Sequence, residues 1–184
     1  MARINKSDLE YFYDNNLHIE SRTLYLGGDI DDVTAADIVK GMHILQRISQ
    51  DTPVTIIMNS HGGEEENGYA IYDAIKSAKC PTIGVVAGQA SSMCSIILQA
   101  CTTRLAYPNA TVMVHDGDAE VEGGAVAVEN EGKYSKASRW KMYRIYEARS
   151  GKSAKYWDKK CKSDYVMTAK EALKEGMIDE VIDG

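Results

Sequence analysis

Two apolar segments of strand length, residues 54–58 and 82–86, constrain the fold of this chain most strongly. Neither segment alternates apolar with polar residues, and such runs are typical of parallel strands that helices cover on both faces. Each run is followed by a segment that contains glycine and then by a helical pattern. Because parallel neighbours need a long crossover between them, usually a helix, the sequence predicts an α/β fold.

The rest of the chain continues this alternation of strands and helices. Strands are predicted at residues 23–26, near 104–106 and near 112–115, and a strand or extended tail at 178–182. The segments 59–63 and 88–90 are predicted to be loops that follow the two apolar strands. Helical spacing predicts two buried stripes, one of Ile38, Met42, Leu45 and Ile48, and one of Ala70, Ile71, Ala74, Ile75 and Ala78.

Further helices are expected in the second half of the chain. One begins at Ser92 and runs to about Ala100, and a long one runs from about Val126 to Arg149. Ser153 and Thr168 have the side chains and sequence context of helix N-caps. Since no internal repeat or linker is evident, we expect residues 1–184 to form one domain.

Composition narrows the class of protein. The net charge of -6 argues against nucleic acid as the main partner, because phosphate binding needs clustered lysine and arginine. No apolar run approaches the roughly 20 residues that span a bilayer, and the polar start of the chain lacks a signal-peptide core. We therefore predict a cytoplasmic protein with no membrane partner, no metal and no cofactor. Its four cysteines have no metal-binding spacing and are expected to be reduced and buried.

Three features have the chemistry that amide hydrolysis requires. Ser92 is predicted at the first turn of a buried helix, where free N–H groups favour a nucleophile. The pair Gly62-Gly63 follows a buried strand, and glycine lets a backbone N–H approach a substrate closely. His115 ends a strand, where a base could reach the nucleophile. Each pattern is commoner as a cap, a turn or a structural histidine, and Asp164 could simply cap a helix, so the local patterns leave function open.

A set of segments, in order from about Arg22 to Asp183, resembles the proteolytic subunit of the Clp protease (ClpP) family. Residues 88–93, Gly-Gln-Ala-Ser-Ser-Met, resemble the family's Gly-Gln-Ala-Ala-Ser-Met, whose serine is the nucleophile. Residues 112–115, Val-Met-Val-His, resemble Val-Met-Ile-His, whose histidine is the base. The other segments that carry the resemblance are 59–63, 70–73, 108–109, 150–153, 164–172 and 176–179.

The resemblance implies roles for individual residues. Ser92 corresponds to the nucleophile, His115 to the general base and acid, and Asp164 to the residue that orients the histidine. The backbone N–H groups of Gly63 and Met93 correspond to the family's oxyanion hole. Ser91 is a competing nucleophile, although the family has alanine at that position.

The family also implies an architecture, an activity and partners. The expected fold is ClpP/crotonase-like, a stacked β-α superhelical core with a protruding handle helix in a handle region at about 117–162. A divergent segment is expected at about 1–21. The implied protein is a serine endopeptidase that hydrolyses peptides or unfolded proteins inside a homo-oligomeric ring, heptameric and single or double. A partner ATPase of the AAA+ class is an open question.

Several positions depart from the family's pattern. His61 replaces a proline beside the oxyanion loop, and Cys94 replaces a glycine after Met93. Lys162-Ser163 stands where the family often has an acidic residue and an arginine that helps two rings associate, so double-ring assembly is an open question. Thr55 and Ser77 replace aromatic residues that the family displays to its ATPase, which predicts weak ATPase binding.

Alternative functions remain open on the sequence. One is a phage prohead maturation protease of the same fold, in which case the location would be the host cytoplasm. A second is a crotonase-type acyl-CoA enzyme, which the acidic run Glu64-Glu65-Glu66 keeps open. A non-catalytic scaffold of the same fold is the third. A membrane-associated signal peptide peptidase has no anchor in the sequence to support it.

Overall fold

The structure, a computed structural model, describes residues 16–117 and 122–182. Within these residues, eight strands form one mixed sheet and six helices connect or flank them. The strands are β1 (Leu17–His18), β2 (Thr23–Ile30), β3 (Val54–Gly63), β4 (Thr82–Ser91), β5 (Thr103–Ala106), β6 (Thr111–Val114), β7 (Tyr165–Thr168) and β8 (Glu180–Val181). The helices are α1 (Asp32–Ile48), α2 (Glu65–Lys76), α3 (Met93–Leu98), α4 (Ala125–Ser150), α5 (Ala154–Lys160) and α6 (Ala169–Glu175).

The centre of the sheet is parallel, as the two apolar runs predict. Strands β2, β3, β4, β5 and β8 are parallel neighbours in that order, and β1 lies antiparallel at the edge beside β2. Val54, Ile56 and Met58 on β3 and Val86 on β4 are fully buried. The α/β class inferred from the sequence is thereby confirmed.

Strand β4 changes partners along its length. Its first half, Ile83 to Val86, pairs with β5, and its second half, Gln89 to Ser91, pairs with β6. Strand β6 in turn pairs antiparallel with β7. This change of partner brings three strand ends, those of β4, β6 and β7, to one place in the molecule.

The two segments predicted to be loops are strands in the structure. Residues 59–63 continue β3, where Asp29 and Ile30 of β2 pair with Gly62 and Gly63. Residues 88–90 continue β4 beside β6. The loop prediction was wrong because glycine and polar residues, which are common in turns, here have backbone hydrogen bonds to neighbouring strands on both sides.

The predicted helices exist with small shifts in their ends and two errors in their buried faces. Ser153 and Thr168 cap α5 and α6, Thr168 in a capping box with Glu171. Ile48 at the end of α1 is 58% exposed and Ala70 of α2 is exposed, so neither belongs to a buried stripe.

The long helix α4 has two dissimilar halves. Its three buried residues, Met142, Tyr143 and Tyr146, all lie in the second half. The first half is mostly exposed, with Val126 at 72%. None of the helices in the described part of the chain is both long and apolar enough to cross a membrane.

Candidate active site

The register of the sheet brings the predicted nucleophile to the predicted base. Ser92 directly follows β4, and its N–H donates to the carbonyl of Met113 on β6 at 2.9 Å. His115 lies one residue beyond the end of β6, and its Nε2 is 2.8 Å from the Ser92 hydroxyl. Since Ser91 pairs with Met113, the two side chains emerge next to each other where both strands end.

The third predicted residue arrives through β7. Strand β7 runs antiparallel to β6, and Val114 is paired with Tyr165. The residues just beyond that pair are His115 and Asp164, and the His115 Nδ1 lies 3.2 Å from an Asp164 carboxylate oxygen. The side chains of Ser92, His115 and Asp164 therefore form a continuous chain of contacts.

The backbone of Ser92 is unusual for a residue with a side chain. Its φ is 51° and its ψ is -123°, and such non-glycine conformations cost about 1–3 kcal/mol and are found mostly where the surroundings enforce them. Besides the bond to Met113, the Ser92 carbonyl accepts hydrogen bonds from the Ser95 N–H at 3.0 Å and the Ser95 hydroxyl at 2.6 Å. Ser92 is the N-cap of α3 rather than its first residue, and its hydroxyl makes no capping bond.

The two glycines of β3 allow the close approach that the site requires. A Cβ atom on Gly62, whose φ is +109°, would lie 2.7 Å from the Cβ of Ser92 and 3.0 Å from the backbone nitrogen of Met93. A Cβ atom on Gly63 would lie 2.4 Å from the carbonyl oxygen of Ile30. The predicted oxyanion residues Gly63 and Met93 both line the same cleft as Ser92 and His115.

Ser91, the competing nucleophile, has different surroundings. It is 4% exposed, and its hydroxyl donates to the Gln89 side chain at 3.2 Å. Ser92 is half-buried, lines the cleft and contacts His115. Of the two adjacent serines, Ser92 is the one that has a base within hydrogen-bonding distance.

A second cluster, which the sequence did not indicate, holds the segment after His115. Asp116 accepts hydrogen bonds from the Tyr143 hydroxyl and from Lys162 Nζ, the latter at 2.9 Å. Lys162 also contacts Asp158 at 2.9 Å. Burial, together with the bond to Asp116, raises the pKa of Tyr143. Lys162, noted only as a departure from the family, thus ties the strand ends of His115 and Asp164 together.

The cleft at Ser92 has a volume of about 490 Å³ and two walls. The sheet wall consists of Gly63, Ser92, Met93 and His115. The helix wall consists of residues of α4, most of them in its first half: Glu131, Tyr134, Ser135 and Ser138. The helix wall is not predictable from the sequence, since nothing in its polar pattern distinguishes it from a solvated helix face.

The acidic run after Gly63 connects the two walls. Glu65 accepts a hydrogen bond from Ser138, and Glu66 accepts one from Tyr134 at 3.2 Å. Burial raises the pKa of Glu65, and the neighbouring charge of Glu66 adds to this effect. These glutamates, which kept the acyl-CoA hypothesis open, lie on the helix-wall side of the cleft and make contacts within this chain.

Other departures from the family's pattern also have defined surroundings. The His61 Nε2 lies 2.7 Å from Asp29, so the residue before Gly62 is linked to β2. Cys94 is fully buried, and burial raises its pKa to about 12. All four cysteines are free and buried, as predicted. Within the described ranges, no group of three acidic, histidine or cysteine residues is placed to hold a metal ion.

Comparison with known proteins identifies the family. The profile of the Clp protease family matches residues 7–184. The chain is 34% identical, over 164 residues, to the ATP-dependent Clp protease proteolytic subunit of Porphyromonas gingivalis. That alignment covers 88% of this chain and 74% of the relative. The chain therefore belongs to the Clp protease family and is a serine peptidase.

Proposed function

We propose that this protein is a serine endopeptidase in which Ser92, His115 and Asp164 form the catalytic triad. The observation that carries the proposal is the 2.8 Å contact between His115 Nε2 and the hydroxyl of Ser92, a residue that has a strained conformation and lines a cleft. Family membership supplies the reaction class, and this contact supports Ser92 as the residue that performs it.

The reaction would follow the general course of serine acyl transfer. Ser92 Oγ attacks the peptide carbonyl while His115 Nε2 takes its proton, and Asp164 holds the Nδ1–H tautomer. The N–H groups of Gly63 and Met93 would stabilise the negative oxygen of the tetrahedral intermediate. His115 then gives the proton to the leaving amine, and water hydrolyses the acyl-enzyme by the same steps in reverse order.

The finer architecture is part of the proposal. One domain with a superhelical β-α core would carry α4 as a handle, and the handle would pack against a neighbouring subunit in a ring. The apolar residues Met142, Tyr143 and Tyr146 of α4 are buried within this chain. The ring contact must use other residues of the helix.

A groove on the outer side of α4 supports a contact between copies. It is lined by Trp140 and Ile145 of α4 and by Tyr72 of α2, and basic side chains, including Lys76 and Arg144, surround it. A second copy of a chain with net charge -6 suits a basic rim electrostatically. We propose that a neighbouring subunit of the ring covers this groove.

The relative's name describes an ATP-dependent protease, which raises the question of an ATPase partner. In this chain Thr55 of β3 is half-buried and pairs with Ile83 of β4, and Ser77 is exposed at the end of α2. Aromatic side chains bury about 150–250 Å² each, so their replacement here removes much of a docking pocket. We propose that a standard Clp ATPase binds this protein weakly.

The experiment that tests the catalytic assignment compares two neighbouring serines. Hydrolysis of a short fluorogenic peptide by Ser92→Ala should fall by about 10³-fold or more, since the attacking group is lost. Ser91→Ala should retain most of the activity, because Ser91 is buried and contacts Gln89 rather than His115. Loss of activity in the Ser91 variant with retention in the Ser92 variant would reverse the assignment.

A further inference from the structure

The cleft beside Ser92 combines an apolar floor with an acidic end. The floor is formed by Met93, Ile96, Met142 and the ring of Tyr69. The same cleft is lined by four carboxylate side chains and only one guanidinium group. The carboxylates are those of Glu64, Glu65, Asp116 and Glu131, and the guanidinium is that of Arg139. Lysine and arginine side chains match such a site, because they have an apolar stem and a charged end.

The charges in the cleft are not evenly distributed. Asp116 is already paired with Lys162 at 2.9 Å. Glu131 makes no ion pair with any described residue within 4 Å. Burial raises the pKa of Glu65 most, and the charges of Glu66 and Glu131 raise it further. The charge of Arg139 acts on Asp158, near the other end of the cleft. The end next to α2, where Glu64, Glu65 and Glu131 line the wall, is therefore net negative.

A buried polar group also faces this end. Tyr69 is 9% exposed and lines the cleft, and its hydroxyl lies near Ser138 without a contact that has full hydrogen-bond geometry. Since Ser138 donates its own proton to Glu65, the Tyr69 hydroxyl can still bond to a group that enters the cleft. Lys141 covers one face of the Tyr69 ring from the outer groove, with its Nζ 3.2 Å from the ring centroid, and partly offsets the charge of Glu65.

The position of this end relative to Ser92 indicates which part of a substrate would occupy it. Gly63 and Met93, the proposed oxyanion donors, line the cleft beside Glu64 and Glu65. We infer that a residue whose carbonyl is bound there places its side chain against Met93 and Ile96, which line the same cleft. This is the side chain on the acyl side of the scissile bond, at P1.

We propose that Glu65 and Glu131, with the Tyr69 hydroxyl, give this peptidase a preference for lysine or arginine at P1. The proposal rests on the proposed function, since it assumes that Ser92 is the nucleophile. The carboxylates receive the cationic end of the side chain, the oxygen of the Tyr69 hydroxyl accepts a hydrogen bond from it, and the apolar floor holds the methylene stem. The same reasoning disfavours aspartate and glutamate at P1.

The test compares two aminomethylcoumarin peptides that differ only in lysine or leucine at P1. We expect kcat/KM for the lysine peptide to exceed that for the leucine peptide by about tenfold. The reason is that the lysine ammonium can make charge-assisted hydrogen bonds in this partly buried site, whereas leucine cannot. In Glu65→Gln and in Glu131→Gln the lysine-to-leucine ratio should fall at least threefold. The matched control is Glu129→Gln, since Glu129 is exposed, pairs with Lys133 and does not line the cleft; its ratio should equal the wild-type ratio.

The ratio is measured within one protein sample, so partial misfolding of a variant does not affect it. Should Glu65→Gln fail to fold, Glu131→Gln on the exposed half of α4 gives the same test alone. Efficient hydrolysis of the leucine peptide with no preference for lysine, or a ratio that Glu131→Gln leaves unchanged, would overturn the preference while leaving the proposed function intact. If neither peptide is hydrolysed and Ser92 does not react with a fluorophosphonate, the proposed function fails and the preference fails with it.

Discussion

The two walls of the cleft are held in place by different forces. The sheet wall is fixed by backbone pairing among β2, β3, β4 and β6 and by the buried residues beneath it, such as Ala90 and Val114 at 0% exposure. The helix wall belongs to the exposed half of α4 and contacts α2 through polar side chains, including the bond from Tyr134 to Glu66. The groups proposed for chemistry lie on the sheet wall, and Glu131, proposed for selecting the substrate, lies on the helix wall.

Substitutions on the two walls should affect the protein differently. A change on the sheet wall disturbs strand pairing, the conformation of Ser92 and the core together. A change on the helix wall alters solvated side chains whose individual contacts contribute little to stability. Substrate preference can therefore change without loss of the catalytic arrangement.

The largest difference between the walls should appear when alanine replaces one glycine on each side of the cleft. Gly62→Ala should lower the free energy of unfolding by about 1–3 kcal/mol and peptide hydrolysis by at least tenfold, because φ is +109° and the new Cβ would meet Ser92. Gly132→Ala, in the exposed half of α4 with no atom within 4 Å of its Cβ, should raise the free energy of unfolding by about 0.5–1 kcal/mol.

Denaturant unfolding and hydrolysis of a fluorogenic peptide measure both effects. Gly132→Ala is the control that shows the effect of an added methyl group in open space. If Gly62→Ala were as stable and as active as the wild type, the sheet wall would accommodate an added side chain as easily as the helix wall does. That result would contradict the proposed difference between the two walls.

A smaller difference is expected when phenylalanine replaces one tyrosine in each half of α4. Tyr146 is fully buried, and its hydroxyl lies 2.7 Å from that of Ser95, which in turn donates to the Ser92 carbonyl. Tyr146→Phe should therefore lower the free energy of unfolding by about 1 kcal/mol. Tyr134→Phe should change it by less than about 0.5 kcal/mol, since Tyr134 is 51% exposed. An equal decrease in the free energy of unfolding in the two variants would contradict this difference. It would mean that the Tyr134 hydroxyl stabilises the fold as much as the buried Tyr146 hydroxyl does.

The sequence predicted the parts of this fold that depend on local patterns. The parallel strands at residues 54–58 and 82–86, the long helix and the caps at Ser153 and Thr168 follow from apolar runs and capping chemistry. The strand character of 59–63 and 88–90 was missed because it depends on neighbours distant in sequence. No local signal predicts that β4 changes partners from β5 to β6.

The candidate site shows the same division between local and distant information. Resemblance to a family selected Ser92, His115 and Asp164, whereas the geometry that joins them comes from the register of β4, β6 and β7. Lys162 bonds to Asp116, which is distant in sequence, and Glu131 lines the cleft opposite the sheet wall. The sequence around each of them is that of an ordinary surface charge, because their position depends on how distant segments pack.

The central claim is that Ser92 is the nucleophile, and a labelling experiment tests it most directly. The folded protein is treated with a fluorophosphonate, digested and mapped by mass spectrometry. The account predicts one modified serine, Ser92, since its hydroxyl is 2.8 Å from His115 Nε2 and lines the cleft, and it predicts no modification in Ser92→Ala or after heat unfolding. Modification of Ser91 or of a serine elsewhere in the folded protein, or an unmodified Ser92 in a preparation that hydrolyses peptides, would contradict it.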